Sequence, residues 1–171
     1  LEIADQVANL QKETGISLKL SDVMEEVAKS SAGIQAAYGF SNVKLAKAVV
    51  LAKKYGINLA QAEKMSSSML DFEGSIQAEL EAELLTGKEL NLEKARALAL
   101  DGKSADAAAE VLKQVGSTKD LTKMNVIQQE ALAKAVGMER NELIKSVKEK
   151  EILQKLGKNT IADAAKTAEG R

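Results

Sequence analysis

This chain of 171 residues contains no proline, cysteine, histidine or tryptophan. Without proline there is no strong helix breaker, so punctuation falls to glycine and to capping side chains. Without cysteine there are no disulfides and no thiol redox chemistry, a composition that fits the cytosol. Without either histidine or cysteine, the usual metal ligands, the usual general base and the most reactive nucleophile are missing. Aromatics make up only 2%, and aromatic side chains are the usual anchors of a compact binding hot spot. An excess of one charge is lacking too: Lys and Arg number 24, Asp and Glu 25, for a net charge of -1. The signs are interleaved, as in Lys148-Glu149-Lys150-Glu151, which describes a solvated helix face. Nucleic-acid binding would bring a basic excess and stacking rings, so no specific nucleic acid is expected. The longest apolar runs, such as Ala48 to Ala52, fall far short of the roughly 20 residues that cross a bilayer. The start, Leu1-Glu2-Ile3-Ala4-Asp5, is acidic and periodic, unlike a secretion signal. Lacking an initiator Met, it reads as an excised or processed piece of a longer protein.

What is present is 45% hydrophobic, drawn from Leu, Ile, Val, Met and much Ala, the best helix former. Apolar residues recur every three or four positions, and no alternating strand pattern of useful length occurs. Ile3, Val7 and Leu10 mark a first helix, about 1–14, ended by Gly15. Ser21 is placed to cap a second, about 22–38, which Gly39 stops. Ser41 caps a third, about 42–55, apolar nearly all round and therefore expected near the centre; Gly56 follows as a left-handed cap. Asn58, with Gln61 in the capping-box position, opens the longest helix, about 59–86. Gly74 interrupts that helix and Gly87 ends it. Shorter helices follow at about 92–100 (cap Asn91), 105–115 (cap Ser104) and 126–136 (cap Asn125 with Gln128), stopped by Gly102, Gly116 and Gly137. A helix of about 140–156 ends at Gly157, and Thr160 starts a last Ala-rich segment. The fold class expected is all-α, a bundle of about seven to nine helices with no sheet. The chain forms one helical module, with a sub-division near Gly87 into a long-helix half (1–87) and a short-helix half (88–171) left open. Asn58-Leu59-x-x-Ala62 and Asn91-Leu92-x-x-Ala95 share a pattern, better explained as two independent helix starts than as a duplication.

Candidate chemistry is sparse. Ser41-Asn42-Val43-Lys44 matches the Ser-x-x-Lys spacing of penicillin-recognising enzymes, but the partner motifs are absent and a helix cap explains it. Glu79 and Glu83 share a helix face and could hold a hard cation; a solvated face is the plainer explanation. Ser66-Ser67-Ser68 offers a phosphorylation site or a polar patch on the long helix, the patch being the plainer reading. Residues 125–146 have a helix-turn-helix rhythm with Arg140, Asn141 and Lys145 on the second helix, but Glu139, Glu142 and Glu149 flank them and oppose DNA binding. The five methionines look like scattered core fillers. No catalytic, cofactor-binding or metal-ligating residue is assigned, and no cofactor is expected. One feature suits protein interaction: the coiled-coil-like seam Met65, Met69, Phe72, Ile76, Leu80 and Leu84. It packs either within the chain or against another copy.

Residues 71–88 (DFEGSIQAELEAELLTGK) run into Leu90-Asn91-Leu92-Glu93-Lys94-Ala95-Arg96. Further on come residues 124–138 (MNVIQQEALAKAVGM) and Asn141-Glu142-Leu143. Together with Leu18-Lys19-Leu20-Ser21-Asp22-Val23-Met24, these resemble a segment common in tail tape-measure-like structural virion proteins of tailed bacteriophages. The resemblance covers about 18–153, and its shared residues are cap, glycine and core positions. It implies a non-enzymatic, largely helical virion component that lies inside the tail tube during assembly, sets its length and leaves before or with the genome. It also implies partnership with its own copies and with other phage tail proteins, in the virion tail and, during assembly, the host cytoplasm. The membrane-prone and wall-degrading parts that such proteins often carry are not visible in this sequence. A cellular helical adaptor or scaffold domain binding a partner protein is the alternative. Ala-rich helices stopped by Gly should make a module of limited stability, suited to passing a narrow channel; a melting temperature above about 90 °C would contradict that.

Overall fold

The computed structural model describes residues 2–14 and 18–169, with residues 14 and 158–169 given as helical backbone alone. The chain is all-helical. Eleven helices occur among the described residues and no strand does: α1 Glu2–Thr14, α2 Leu20–Lys29, α3 Ala32–Ala37, α4 Asn42–Lys54, α5 Leu59–Met69, α6 Phe72–Thr86, α7 Glu93–Leu100, α8 Ser104–Leu112, α9 Thr118–Thr122, α10 Val126–Ala135 and α11 Arg140–Glu169.

Two struts hold the bundle together. Helix α4 buries Leu45, Ala46, Ala48, Val49, Val50 and Ala52 and touches α1, α2, α5, α8 and α11, the central place its all-round apolar sequence predicts. Helix α8 buries nearly every residue, from Ser104 to Leu112, and lies against α4, α5 and α7. Its alanines let neighbouring axes come close. One apolar cluster gathers Val7, Val23, Val27, Ile34, Leu45 and Val49 with Ala105 of α8. A second gathers Met65, Met69, Ala82, Leu92, Val111, Leu132 and Leu143. Chain on both sides of Gly87 shares this second cluster, since Ala78 and Ala82 lie in it with Leu90 and Leu92.

The capping side chains read from sequence act as caps at Ser41, which accepts from the Lys44 N–H at 3.2 Å, and at Asn58 and Asn125, each in a reciprocal capping box with Gln61 or Gln128. Gly39, Gly56, Gly87, Gly102, Gly116 and Gly137 all adopt positive φ. Gly15 lies outside the described residues.

Several expected boundaries are corrected. The helix expected over 22–38 is two helices. Ser30 Oγ turns back onto the Val27 carbonyl at 2.6 Å, and Ser31 Oγ accepts from the Ile34 N–H and starts α3. Adjacent hydroxyls offer the backbone local partners that compete with the helical ladder. Ser21 sits inside α2, whose N-cap position is Lys19. The long helix expected over 59–86 also divides, because Asp71 accepts from the Gly74 N–H at 3.2 Å and begins α6 afresh. Gly74 therefore lies in the first turn of α6. Helix α7 begins one residue later than expected, with Leu92 at its N-cap, although Asn91 Oδ1 still accepts from the Glu93 N–H. Ser104 is the first residue of α8, not its cap. Gly157 and Thr160 do not divide α11, which continues to Glu169. A glycine inside a helix costs only about 1 kcal/mol relative to alanine, so it need not stop one.

Helix α9 was not anticipated. Ser117 and Asp120 form its capping box. Its first turn is tied to α11: Glu151 accepts from the Thr118 N–H at 2.8 Å and from the Thr118 hydroxyl at 2.6 Å. These bonds hold the Glu151 carboxyl below its ordinary value, first through the hydroxyl and then through the amide. A depressed carboxylate contributes stability that is present above its unfolded value and lost as pH falls through the folded one. The stability gap between wild type and Glu151→Gln in urea unfolding should therefore be full at neutral pH and close as acid protonates the carboxylate. A gap that is constant from neutral pH to pH about 3, below the ordinary glutamate value, would remove Glu151 from this role.

Candidate docking surface

Helix α6 inverts the usual division of side chains. Its small residues Ser75, Ala78 and Ala82 are buried, and the helix lies along α10. Its large residues face out: Phe72 is 44% exposed, Ile76 47%, Leu80 61% and Leu84 85%. Four-residue spacing places them on one slowly turning stripe. Met65 and Met69, by contrast, are 1% exposed within the core. The six-residue seam is thus split at the α5–α6 break. Its first two members pack in the core of their own chain, and its last four lie at the surface.

The stripe is wider than the seam. Gln128 of α10 donates to the Leu85 carbonyl at 3.0 Å, which sets the start of α10 beside the end of α6. Leu85, Val126 and Ile127, all exposed, stand at that shared end. Sequence periodicity did not single them out, because residues next to a cap are read as helix starts before they are read as surface.

The carboxylates of α6 divide as well. Asp71, Glu73 and Glu81 are exposed. Glu79 is turned toward α7, where it pairs with Arg96 at 2.5 Å and accepts from the Leu92 N–H at 3.2 Å. Arg96 Nε also donates to Ser75 Oγ at 3.0 Å. Glu83 accepts from the Leu90 N–H at 3.4 Å. Both acids that the sequence offers for a cation thus serve the entry to α7. Among the described residues no group of three or more Asp and Glu is placed to hold a metal ion. Arg96 itself gave no sequence signal, since an arginine in the first turn of a helix reads as surface.

No protein family model matches this chain, and no curated protein or solved structure matches it. The geometry therefore carries the functional reading with the sequence resemblance alone beside it.

Other groups with chemical potential are occupied structurally. Ser41 and Lys44 meet as a cap and the backbone N–H it satisfies. The Tyr38 hydroxyl donates to Asp106 at 3.0 Å and accepts from the Ala105 N–H at 3.1 Å, tying α3 to the start of α8. Burial, then the neighbouring Asp106 charge, pushes the phenol up from its ordinary value, so it stays protonated. Arg140, considered for DNA contact, donates to Gln129 at 2.7 Å, and Gln129 in turn donates to the Leu121 carbonyl. Of Ser66, Ser67 and Ser68, Ser66 is buried and Ser68 bonds the Met65 carbonyl. Among the described residues no helix is long and apolar enough to cross a membrane.

Proposed function

We propose that this chain is a non-enzymatic helical module of the tail tape-measure-like kind. It acts by packing against its own copies and neighbouring tail proteins during phage tail assembly or genome ejection. The observation that carries the reading is the stripe of large apolar side chains on α6, at Phe72, Ile76, Leu80 and Leu84, left open to solvent. Placing leucines outside and alanines inside gains nothing for an isolated chain, because each large apolar side chain left exposed forgoes part of the about 1.5–3 kcal/mol that full burial supplies. It makes sense where the stripe is covered in assembly. The resemblance of residues 18–153 to tape-measure-like proteins supplies the setting: the virion tail, and the host cytoplasm while tails are built.

Light scattering with a crosslinking series tests the self-association. Molar mass should rise with protein concentration, and crosslinked ladders should shorten when Leu80 and Leu84 are both changed to Gln. A chain that stays monomeric at the highest soluble concentration would defeat the reading. The coding neighbourhood tests the setting. Tail-tube and baseplate genes are expected beside this one, and their absence would favour a cellular helical adaptor.

A further inference from the structure

We infer that the α6 stripe docks onto the exposed face of α11, over residues 145–156, of a second copy of this chain. The pairing rests on the self-association proposed above and names the two surfaces that meet.

Charge selects the occupant. Glu73 and Glu81 are exposed on α6, and no Lys or Arg occurs from Leu70 to Gly87. Two α6 stripes laid together would set these acids against one another, and like charges juxtaposed across an interface oppose association. A basic amphipathic helix fits instead, and α11 supplies one. Ile152 is 43% and Leu156 49% exposed, and their four-residue spacing repeats that of Ile76, Leu80 and Leu84. Lys145, Lys148 and Lys155 are exposed and lie seven before, four before and three after Ile152, which puts them on the same face. Glu149 is the acid among them; Glu151 is turned to Thr118. The opposite side of α11, with Leu143, Ser146 and Val147, is buried in the chain's own core.

Lengths agree too. From Phe72 to Leu84 is about 18 Å of helix, and from Lys145 to Leu156 about 17 Å. Within one copy α6 lies against α5 and α10, whereas α11 lies against α4, α9 and α10. Two different surfaces meeting between copies either close reciprocally in a two-fold pair or run head-to-tail as a ring or filament.

A charge swap tests the pairing by sedimentation. All four altered positions are exposed, and circular dichroism checks that each variant keeps its helices. Glu73→Lys with Glu81→Lys makes the α6 face basic; Lys148→Glu with Lys155→Glu makes the α11 face acidic. Each variant alone should associate at least about tenfold more weakly than wild type. An equimolar mixture should recover association, because each variant then offers the other an opposite charge at both contacts. Leu84→Gln, at an 85% exposed position, should weaken association without any change of charge. Failure of the mixture to recover would overturn the pairing. So would wild-type association in Lys148→Glu with Lys155→Glu, since α6 would then meet itself or another surface. In both of those cases wild-type chains still multimerise, and self-association stands. Wild-type chains that never multimerise would instead remove the underlying reading.

Discussion

Gly56→Ala should be among the most damaging single-methyl changes in this protein, and Gly87→Ala is its built-in control. The two glycines share a left-handed conformation, with φ of 75° and 74°. Alanine at either position meets the same backbone strain, about 1–2 kcal/mol. Their surroundings differ. A Cβ on Gly87 would meet nothing within 4 Å, whereas one on Gly56 would collide with the Ser146 carbonyl oxygen and come within 3.0 Å of the Lys150 nitrogen. Both obstacles are backbone atoms of α11 and cannot rotate away. The same turn is held to α11 by Ser146 Oγ, which donates to the Tyr55 carbonyl at 2.7 Å. Overpacking of this kind adds about 1–3 kcal/mol, so Gly56→Ala should lose about 2–5 kcal/mol in all. Domains of this size have only about 5–15 kcal/mol of stability, so the variant approaches the unfolding threshold. Urea unfolding of the two variants side by side reads the difference as a shift in midpoint. Equal shifts would mean that α11 does not rest on this turn.

The all-helical class and the starts of α4, α5 and α10 could be read from sequence because they depend on local chemistry. Asn58 with Gln61 and Asn125 with Gln128 form their capping boxes from residues three apart, so no tertiary knowledge is needed. The breaks at Ser31 and Asp71 were hidden for a related reason. Apolar spacing of three and four persists across both, since the helices on either side face a core, and periodicity cannot register a break that preserves the rhythm. Helix α9, Thr118–Thr122, is shorter than two turns and has no periodicity to detect. The candidate surface was legible as a set of residues and illegible as a direction. Met65, Met69, Phe72, Ile76, Leu80 and Leu84 all read as one seam. Which of them face inward depends on Ala78 and Ala82 forming the buried side of α6, which lies along α10, and on where α5 ends. Small residues allow close approach of two helices, and here that approach outweighs burying the leucines of the same helix.

Arg96→Met should cost about as much as Gly56→Ala, and by a different route. The side chains of Arg96 and Glu79 are only 10% and 12% exposed. Removing the guanidinium leaves the Glu79 carboxylate nearly buried, with the Leu92 N–H as its remaining partner. Breaking a buried pair from one side typically costs about 3–5 kcal/mol, while replacing both members is often close to neutral. Glu79→Gln added to Arg96→Met should therefore recover much of the loss, because glutamine carries no charge to desolvate and its carbonyl can still accept from Leu92. A double variant as unstable as the single one would show that the arginine matters for packing and not for neutralising Glu79. The pair also bears on the surface. Successive helix residues are turned by about 100°, so anchoring Glu79 and Glu83 toward α7 fixes the roll of α6 and holds Leu80 and Leu84 outward. Arg96 is in this sense a positioning residue for the proposed docking stripe. In Arg96→Met with Glu79→Gln, a roll of α6 should weaken self-association even where stability is restored. Undiminished association in that double variant would show that the packing of α6 against α10 and α5 sets the roll without Arg96.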